Sequence, residues 1–317
     1  MKKNTVPIVF AFDNNLVIPA CICISSLLMS AKPDTFYDIF ILHSPKEKLT
    51  KEKLDLLPHY YSNCRLQYRE VDATFDDAFE IRGITTPAYY RLLIPGLIPE
   101  YDKVIYSDVD VIFRMDLSQL YQLDLADWLL AATKDLGLNL SNEGKDYITG
   151  TLGLMQGCYL QSGFIILNSS LIRGNRIEDQ FKALAKRKYK YQDQDILNIV
   201  CQGKVFYLPP CYNMTNYSYN YMLHDYDLVE TLYTDEEIRF ALSHGNIHYN
   251  GQKPWKGYCI NFDIWWEYYR KSPFFDEKFY FKFFYDKLNV LDQLSLWKRI
   301  KILARYFLHG RMRGMKG

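Results

Sequence analysis

The sequence lacks the features that identify several classes of protein. Its 317 residues include seven cysteines but no Cys-x-x-Cys pair. This argues against a zinc site and, because the count is odd, against a disulfide framework. We find no internal repeat and no low-complexity linker, and the formal net charge is only +1, so bulk charge does not indicate an acidic partner. A globular protein of the reducing cytoplasm is the simplest interpretation.

Long uncharged runs are also scarce. The one that stands out is residues 16–31, sixteen residues long and preceded by Lys2 and Lys3. A signal peptide is one interpretation, but Asp13 and two asparagines separate the lysines from the apolar run. The run is also short for a membrane-spanning helix. We therefore expect a buried first helix of an α/β unit.

What the chain does contain is a regular alternation of apolar strands and helices, with 49% apolar residues to form a core. We predict strands at 6–12, 36–43, 65–71, 103–107, 128–133, 164–168 and 204–208. Helices are predicted at 17–31, 46–59, 87–95, 176–189, 193–201, 276–290 and 295–308, and residues 212–233 resist assignment. Such alternation is typical of an α/β fold with a mostly parallel, Rossmann-like sheet, whose ligands bind at the carboxyl ends of the strands.

Two acidic residues at the end of one predicted strand suggest a metal site. Asp108 and Asp110 follow the apolar run that begins at Lys103, and alternate residues of a strand point to the same face. Paired carboxylates suit Mg²⁺ or Mn²⁺, and such a metal suits a diphosphate. The alternative is a strand that simply runs into an acidic loop.

Two further clusters carry polar chemistry. Gln192-Asp193-Gln194-Asp195 opens an apolar helix, where one acid would suffice as a cap. The extra groups can bind sugar hydroxyls or flank a cationic anomeric carbon. His248-Tyr-Asn-Gly251-Gln-Lys253 offers a metal ligand, a close backbone approach and a cation for phosphate. A turn with an exposed lysine is the alternative.

Together these motifs resemble glycosyltransferase family 8, the retaining nucleotide-sugar transferases, and most closely its bacterial lipooligosaccharide α-galactosyltransferases. The resemblance covers about residues 6–256 and runs through six motifs in family order, namely Val9–Asn15, Thr85–Leu92, Tyr106–Asp110, Gln161–Asn168, Gln192–Asn198 and His248–Trp255.

The resemblance implies a GT-A-type fold, which we expect over residues 1–260, and the predicted helices at 276–290 and 295–308 indicate a helical C-terminal region over 261–317. It also implies transfer of galactose or glucose from a UDP-hexose, held through Mn²⁺ or possibly Mg²⁺, to a glycan or glycolipid acceptor. The implied roles are as follows: metal ligands Asp108, Asp110 and His248; uridine contacts Ala11, Asp13 and Asn15; diphosphate contacts Gly251 and Lys253; donor-sugar and catalytic residues Arg91, Gln161, Asp193, Gln194 and Asp195; acceptor residues Asp135, Tyr191 and Thr215.

The chain departs from the family pattern at three places. Leu16 stands where relatives often carry an aromatic residue that stacks on uracil, and Gln161 replaces an asparagine that contacts the donor sugar. The spacing from His248 to Lys253 is one residue shorter than in close relatives, so Lys253 is expected to reach the diphosphate differently.

Two hypotheses from other classes compete with a transferase. A haloacid-dehalogenase-type phosphatase would use Asp108 as its nucleophile, but Ile112 stands where that motif has Thr or Val, and its later Gly-Asp motif is missing. A non-catalytic saccharide-binding protein would not need the acids, histidine and lysine together.

The C-terminal segment predicts association with an anionic membrane surface. Residues 293–317 contain seven Lys or Arg and no acid, so the rest of the chain is acidic and nucleic-acid binding is not expected. Leu296, Ile300, Leu303 and Phe307 share one face of a predicted helix, and Trp297 and Tyr306 would lie at the headgroup level. A helix packed on the catalytic domain is the alternative. We expect a cytoplasmic enzyme bound peripherally to the inner face of the cell membrane.

Overall fold

The computed structural model describes residues 4–46, 49–75, 86–289 and 294–305. It contains two compact units, Met1–Ser272 and Pro273–Gly317. The predicted boundary between 260 and 261 falls before a helix that belongs to the first unit, where Trp265, Trp266 and Tyr269 are buried. All seven cysteines are free thiols.

A seven-stranded sheet in the order β3-β2-β1-β4-β7-β6-β8 forms the centre of the first unit. Neighbouring strands are parallel except β7, which is antiparallel to both β4 and β6. The predicted mostly parallel α/β sheet is therefore confirmed. The strands are β1 Asn4–Ala11, β2 Thr35–His43, β3 Cys64–Glu70, β4 Val104–Ser107, β5 Val111–Ile112, β6 Leu130–Lys134, β7 Leu160–Leu167, β8 Val205–Tyr207, β9 Met214–Thr215 and β10 Ile247–His248.

Helices cover the sheet. In the first unit they are α1 Val17–Met29, α2 Leu57–Tyr60, α3 Ile94–Leu97, α4 Ser118–Tyr121, α5 Leu136–Leu140, α6 Asn142–Asp146, α7 Ser169–Gly174, α8 Ile177–Ala185, α9 Gln192–Val200, α10 Asn216–His224, α11 Tyr226–Val229, α12 Asp235–His244 and α13 Phe262–Lys271. The second unit contains α14 Glu277–Leu288 and α15 Leu296–Arg305. Nowhere in the described ranges is a helix both long and apolar enough to span a membrane.

The first helix is buried as predicted. Residues of α1 on every side of the helix are inaccessible, among them Ala20, Ile22 and Ile24. A helix that is apolar all round can only be stable inside a protein or a membrane. The run at 16–31 is therefore explained by packing inside this fold.

Two helix predictions need correction. The helix predicted at 46–59 is wrong: within its described part, only a 3₁₀ turn at Leu54–Leu56 and the short α2 are helical, and residues 47 and 48 lie outside the described ranges. Pro58 has no N–H for the carbonyl of Leu54 and is tolerated only in the first turn of a helix, which is where it lies in α2. The segment predicted at 87–95 is mainly a 3₁₀ helix, Thr86–Leu93, which ends next to Pro95 of α3.

The core fixes which ends of the strands meet. Val9 of β1, Tyr106 of β4 and Ile165 of β7 pack in one buried cluster that includes Leu197 of α9. Burying each such side chain contributes about 1.5–3 kcal/mol. Because β1 and β4 are parallel neighbours, their carboxyl ends lie side by side, and Asp13 and Asp108 follow those ends as predicted.

A second, three-stranded sheet in the order β5-β10-β9 completes the frame of the site. Strand β10 is antiparallel to β5 and parallel to β9, with His248 paired to Val111 and to Thr215. Beyond this ladder, the Tyr249 N–H donates to the Asp110 carbonyl at 2.8 Å. These two-residue strands therefore bring His248 next to the acids that follow β4.

Candidate active site

The two acids and the histidine converge as the sequence predicted. The Nε2 atom of His248 lies 3.2 Å from Asp110 Oδ1 and 3.6 Å from Asp108 Oδ2. One potential ligand atom from each of the three residues lies within 4.8 Å of the others. His248 is buried, whereas the Asp108 side chain is 26% exposed, so the cluster opens toward solvent on the side of Asp108.

A buried guanidinium connects this cluster to helix α9. Arg91 donates from Nη2 to Asp108 Oδ1 at 2.9 Å, and its Nε lies 3.2 Å from Asp193 Oδ2. Its Nη1 donates to the carbonyl of Ser162 at 2.6 Å, and Tyr106 donates its hydroxyl to the same Asp108 oxygen. Since a guanidinium presents its donors in a fixed plane, Arg91 holds both carboxylates at a defined separation.

The start of α9 carries more polar contacts than a helix cap requires. Gln194 accepts from the Ser162 N–H through Oε1 at 3.0 Å and donates from Nε2 to Asp135 Oδ2 at 3.1 Å. Asp193 accepts from the Ser162 hydroxyl at 3.0 Å. Both side chains are therefore part of one hydrogen-bond network that reaches Asp108 through Arg91.

Asp195 has a different environment. Its carboxylate accepts from the hydroxyls of Tyr147 and Tyr159 and from the Tyr191 N–H at 2.8 Å. Three donors to one carboxylate fix the first turn of α9 and the two tyrosines relative to each other. This arrangement favours a positioning role, and the assignment of Asp195 to the catalytic group stays a prediction.

The acids differ in their electrostatic surroundings. Burial by itself would raise the pKa of Asp110, but the adjacent Lys253 and His248 outweigh it and hold the pKa well below its usual range. For Asp193, burial raises the pKa to about 6 in spite of Arg91. Burial also raises the pKa of Asp135. The contacts with Lys253 and His248 thus keep Asp110 in its charged carboxylate form.

Lys253 reaches the cluster despite the short spacing from His248. Its ammonium contacts Asp110 Oδ2 and donates to the Tyr249 carbonyl at 2.6 Å. The following residue, Pro254, is buried and accepts a hydrogen bond from the Trp266 indole N–H at 3.2 Å, which anchors this segment. Gly251 is exposed, and a Cβ there would lie 3.1 Å from the Asn216 side-chain nitrogen.

The remaining predicted residues lie around this network. Ala11 ends β1, Asp13 accepts from the Asn15 N–H at 2.9 Å, and Asn15 is exposed. Within the described part of the chain, no hydrogen bond joins these three residues to Asp108, Asp110 or His248. Tyr191 packs edge-on against Tyr147, and Thr215 pairs with His248 and caps α10 through its hydroxyl.

Two residues that sequence reasoning did not single out shape the site. Gly163 of β7 accepts from the Asp108 N–H at 2.8 Å, and a Cβ at this glycine would lie 2.3 Å from His248 Cε1. Asn213, which is buried, contacts the Nδ1 atom of His248 at 2.9 Å. Gly163 lies within the family motif Gln161–Asn168. Asn213 lies within residues 212–233, for which the sequence predicts no secondary structure.

The donor set fits a divalent cation. Two carboxylates and an imidazole, close together and partly open to solvent, are ligands that Mn²⁺ accepts, and the imidazole favours Mn²⁺ over Mg²⁺. The ammonium of Lys253 contacts Asp110 Oδ2 and the guanidinium of Arg91 contacts Asp108 Oδ1, whereas His248 Nε2 faces the other oxygen of each acid. A metal and an anionic group can therefore be bound side by side here.

Several curated bacterial proteins are similar to this chain. A Haemophilus influenzae protein named as a glycosyltransferase is 29% identical over 67% of this chain, which spans 64% of that relative, slightly under two thirds. A lipopolysaccharide 1,3-galactosyltransferase of Salmonella typhimurium is 24% identical over 78% of this chain and 72% of its own length. A lipopolysaccharide 1,2-glucosyltransferase of Escherichia coli is 28% identical over 54% of this chain and 50% of its own length.

Two solved glycosyltransferase structures have a fold similar to that of this chain. The galactosyltransferase LgtC, solved with donor and acceptor sugar analogues, superposes with a TM-score of 0.70 at 26% identity, over 87% of this chain and 100% of that one. The bifunctional glycosyltransferase WbbM gives 0.69 at 25% identity, over 87% and 51% of the two chains. The GT-A-type fold is thus confirmed. The model of glycosyl transferase family 8 matches residues 7–259, and this chain belongs to that family of transferases.

Proposed function

We propose that the protein transfers a hexose, galactose or glucose, from a UDP-sugar to a saccharide acceptor of a cell-surface glycan, with retention of anomeric configuration and with Mn²⁺. The observation that carries the proposal is the convergence of Asp108, Asp110, His248 and Lys253 at one point. Among the relatives named above are lipopolysaccharide galactosyl- and glucosyltransferases, which supports a hexose donor and a glycan acceptor. Neither competing hypothesis, phosphatase or binding protein, explains the family match.

In this proposal the residues divide the work. Asp108, Asp110 and His248 would hold the metal, which would supply positive charge to stabilise the diphosphate of the leaving UDP. Lys253 contacts the same diphosphate, with Gly251 allowing close approach of the backbone. Arg91, Asp193, Gln194 and Gln161 surround the transferred sugar, while Ala11, Asp13 and Asn15 hold uridine. Asp135, Tyr191 and Thr215 face the acceptor.

The direct test is a panel of UDP-sugars with purified protein, measuring UDP release with and without Mn²⁺. We expect release from UDP-galactose or UDP-glucose that stops when the metal is chelated and returns when Mn²⁺ is added. Release of phosphate from sugar phosphates, without UDP release, would support the phosphatase hypothesis instead. Turnover that survives full chelation would contradict the metal assignment.

Gln194 provides a prediction about the sugar pocket. We expect Gln194→Ala to lower kcat by about 10²-fold, because the amide holds Ser162 and Asp135 in place beside the sugar and small displacements are costly there. UDP affinity should change little, since the contact is not made to the nucleotide. Steady-state kinetics and UDP titration measure the two effects.

A neighbouring variant separates this role from simple helix stability. Asn198→Ala, one turn further along α9, removes a buried amide that bonds the backbone of Leu160 and Gln194. Thermal unfolding of this variant measures how much stability the protein loses when a purely structural amide is removed. Equal losses of UDP binding and turnover in Gln194→Ala would instead support a capping role.

The proposal extends to the second unit, which we expect to associate with an anionic membrane surface. Helix α15 carries Leu296, Ile300 and Leu303 at spacings of four and three, so they share one face, and all three are exposed. Its polar side includes Lys298, Arg299 and Lys301. Each basic residue near an anionic surface contributes about 1 kcal/mol. Tyr306 and Phe307, also predicted for this surface, lie outside the described residues.

Vesicle sedimentation tests the membrane association. The full chain should sediment with anionic vesicles and much less with neutral ones, whereas a chain ended at Asp292 should remain in the supernatant with both. A variant with Leu296 and Ile300 both changed to Ala retains the charge and should bind more weakly than the full chain. Equal sedimentation of full and truncated chains, or none of either, would contradict the association.

A further inference from the structure

The orientation of His248 depends on residues that touch neither acid. A neutral imidazole has one nitrogen that carries hydrogen and one that can bind a metal. In His248, Nε2 faces Asp108 and Asp110, while Nδ1 lies 2.9 Å from Asn213 Oδ1. Whether Nε2 is available as a ligand is therefore decided on the opposite side of the ring.

A chain of hydrogen bonds with a fixed direction reaches that side. The Gly163 N–H donates to Gln161 Oε1 at 2.7 Å, and a backbone N–H can only donate. The same oxygen accepts from the side-chain nitrogen of Asn213. With its nitrogen turned to Gln161, Asn213 presents its oxygen to His248, and an oxygen there requires hydrogen on Nδ1.

Burial keeps the hydrogen bonds of this chain in the direction described. Gln161, Asn213 and His248 are 7%, 2% and 1% exposed. Water therefore does not substitute readily for a mismatched partner, and reversing one amide would place two donors or two acceptors against each other. Such a mismatch leaves a buried polar group without a partner, which destabilises that arrangement.

We infer that Gln161 and Asn213 are positioning residues that fix the Nδ1–H tautomer of His248 and so keep Nε2 as a ligand for the metal. Outer partners of a metal-bound histidine commonly act in this way. The consequence for Mn²⁺ rests on the proposed function, whereas the tautomer itself is a property of the metal-free protein. Gln161, which departs from the family pattern, then serves the metal site through its oxygen.

The experiment measures the tautomer and the metal affinity separately. ¹⁵N spectra of the metal-free protein, with His248 identified among the six histidines by its loss in His248→Gln, report which nitrogen carries hydrogen when the ring is neutral. We expect Nδ1–H in the wild type and a shift toward Nε2–H in Gln161→Met. Free Mn²⁺ measured by electron paramagnetic resonance should show affinity about 10-fold or more weaker in Gln161→Met and Asn213→Ala.

Two control variants separate this role from general destabilisation. Gln161→Glu keeps an oxygen for Gly163 and Asn213 and should retain the Nδ1–H tautomer. Asn246→Ala removes another buried amide close by, which bonds Arg114 and Tyr212 backbone atoms, and should leave Mn²⁺ affinity unchanged.

The outcomes are distinguishable. An Nε2–H tautomer in the wild type, or no change of tautomer in Gln161→Met, would overturn the inference. So would Mn²⁺ binding by wild type that Asn213→Ala and Gln161→Met both retain in full. If wild type binds no Mn²⁺ but its Nδ1–H tautomer is lost in Gln161→Met, the inference about the tautomer stands and the metal assignment of the proposed function fails.

Discussion

Asp110→Asn is expected to lower Mn²⁺-dependent sugar transfer by about 10³-fold, or ~4 kcal/mol of transition-state stabilisation. The substitution removes the charge of the carboxylate that lies between His248 and Lys253. A neutral amide is a poorer ligand for a hard cation than a carboxylate is. The cation that it fails to hold would otherwise supply positive charge to stabilise the departing UDP. Steady-state transfer assays and Mn²⁺ titration measure the loss.

The fold should survive this change. Lys253 loses its ion-pair partner, but its side chain is 25% exposed and can turn toward water, so no charge is left buried. Asp116→Asn is the matched control, because this half-buried acid follows β5 and accepts hydrogen bonds from the Lys32 and Ser118 N–H groups, which lie outside the site. Full activity in Asp110→Asn, with unchanged Mn²⁺ affinity, would show that the metal is not bound here.

The parts of the fold that follow from hydrophobic pattern were predictable. Strands β1 and β2 and the buried helix α1 each come from a mainly apolar run, and a run of this kind has few alternatives in a protein core. Asp108 and Asp110 were also identifiable, because acids directly after a buried strand stand at the edge where ligands bind. Local sequence is sufficient in both cases.

Features that depend on distant parts of the chain were not predictable in the same way. Strands β5, β9 and β10 contain two residues each, too few for any period, and they exist because residues far apart in sequence pair with one another. Asn213 gains its role only when β9 and β10 meet. His248 was identified by its neighbours in the motif, but its contact with Asp110 is a consequence of this pairing.

Gly163→Ala is expected to disrupt the site strongly, because the one methyl group it adds meets both His248 and Asp108. The added Cβ would lie 2.3 Å from His248 Cε1, 2.9 Å from its Nδ1 and 2.8 Å from Asp108 Oδ2. Separations below 3.0 Å require movement, and buried His248 can move only by breaking its contact with Asn213. We expect Mn²⁺ affinity and turnover each to fall by about 10²-fold or more, measured by Mn²⁺ titration and UDP release.

The effect should be steric and local. Gly163 does not have a positive φ angle, so alanine is compatible with its extended backbone, and the loss cannot be assigned to backbone strain. Gly174→Ala is the matched control, since a Cβ at that exposed helix position has no atom within 4 Å. It should retain full activity. If Gly163→Ala kept wild-type Mn²⁺ affinity, His248 could not be a metal ligand in the orientation described, and the acids after β4 would have to bind the metal without it.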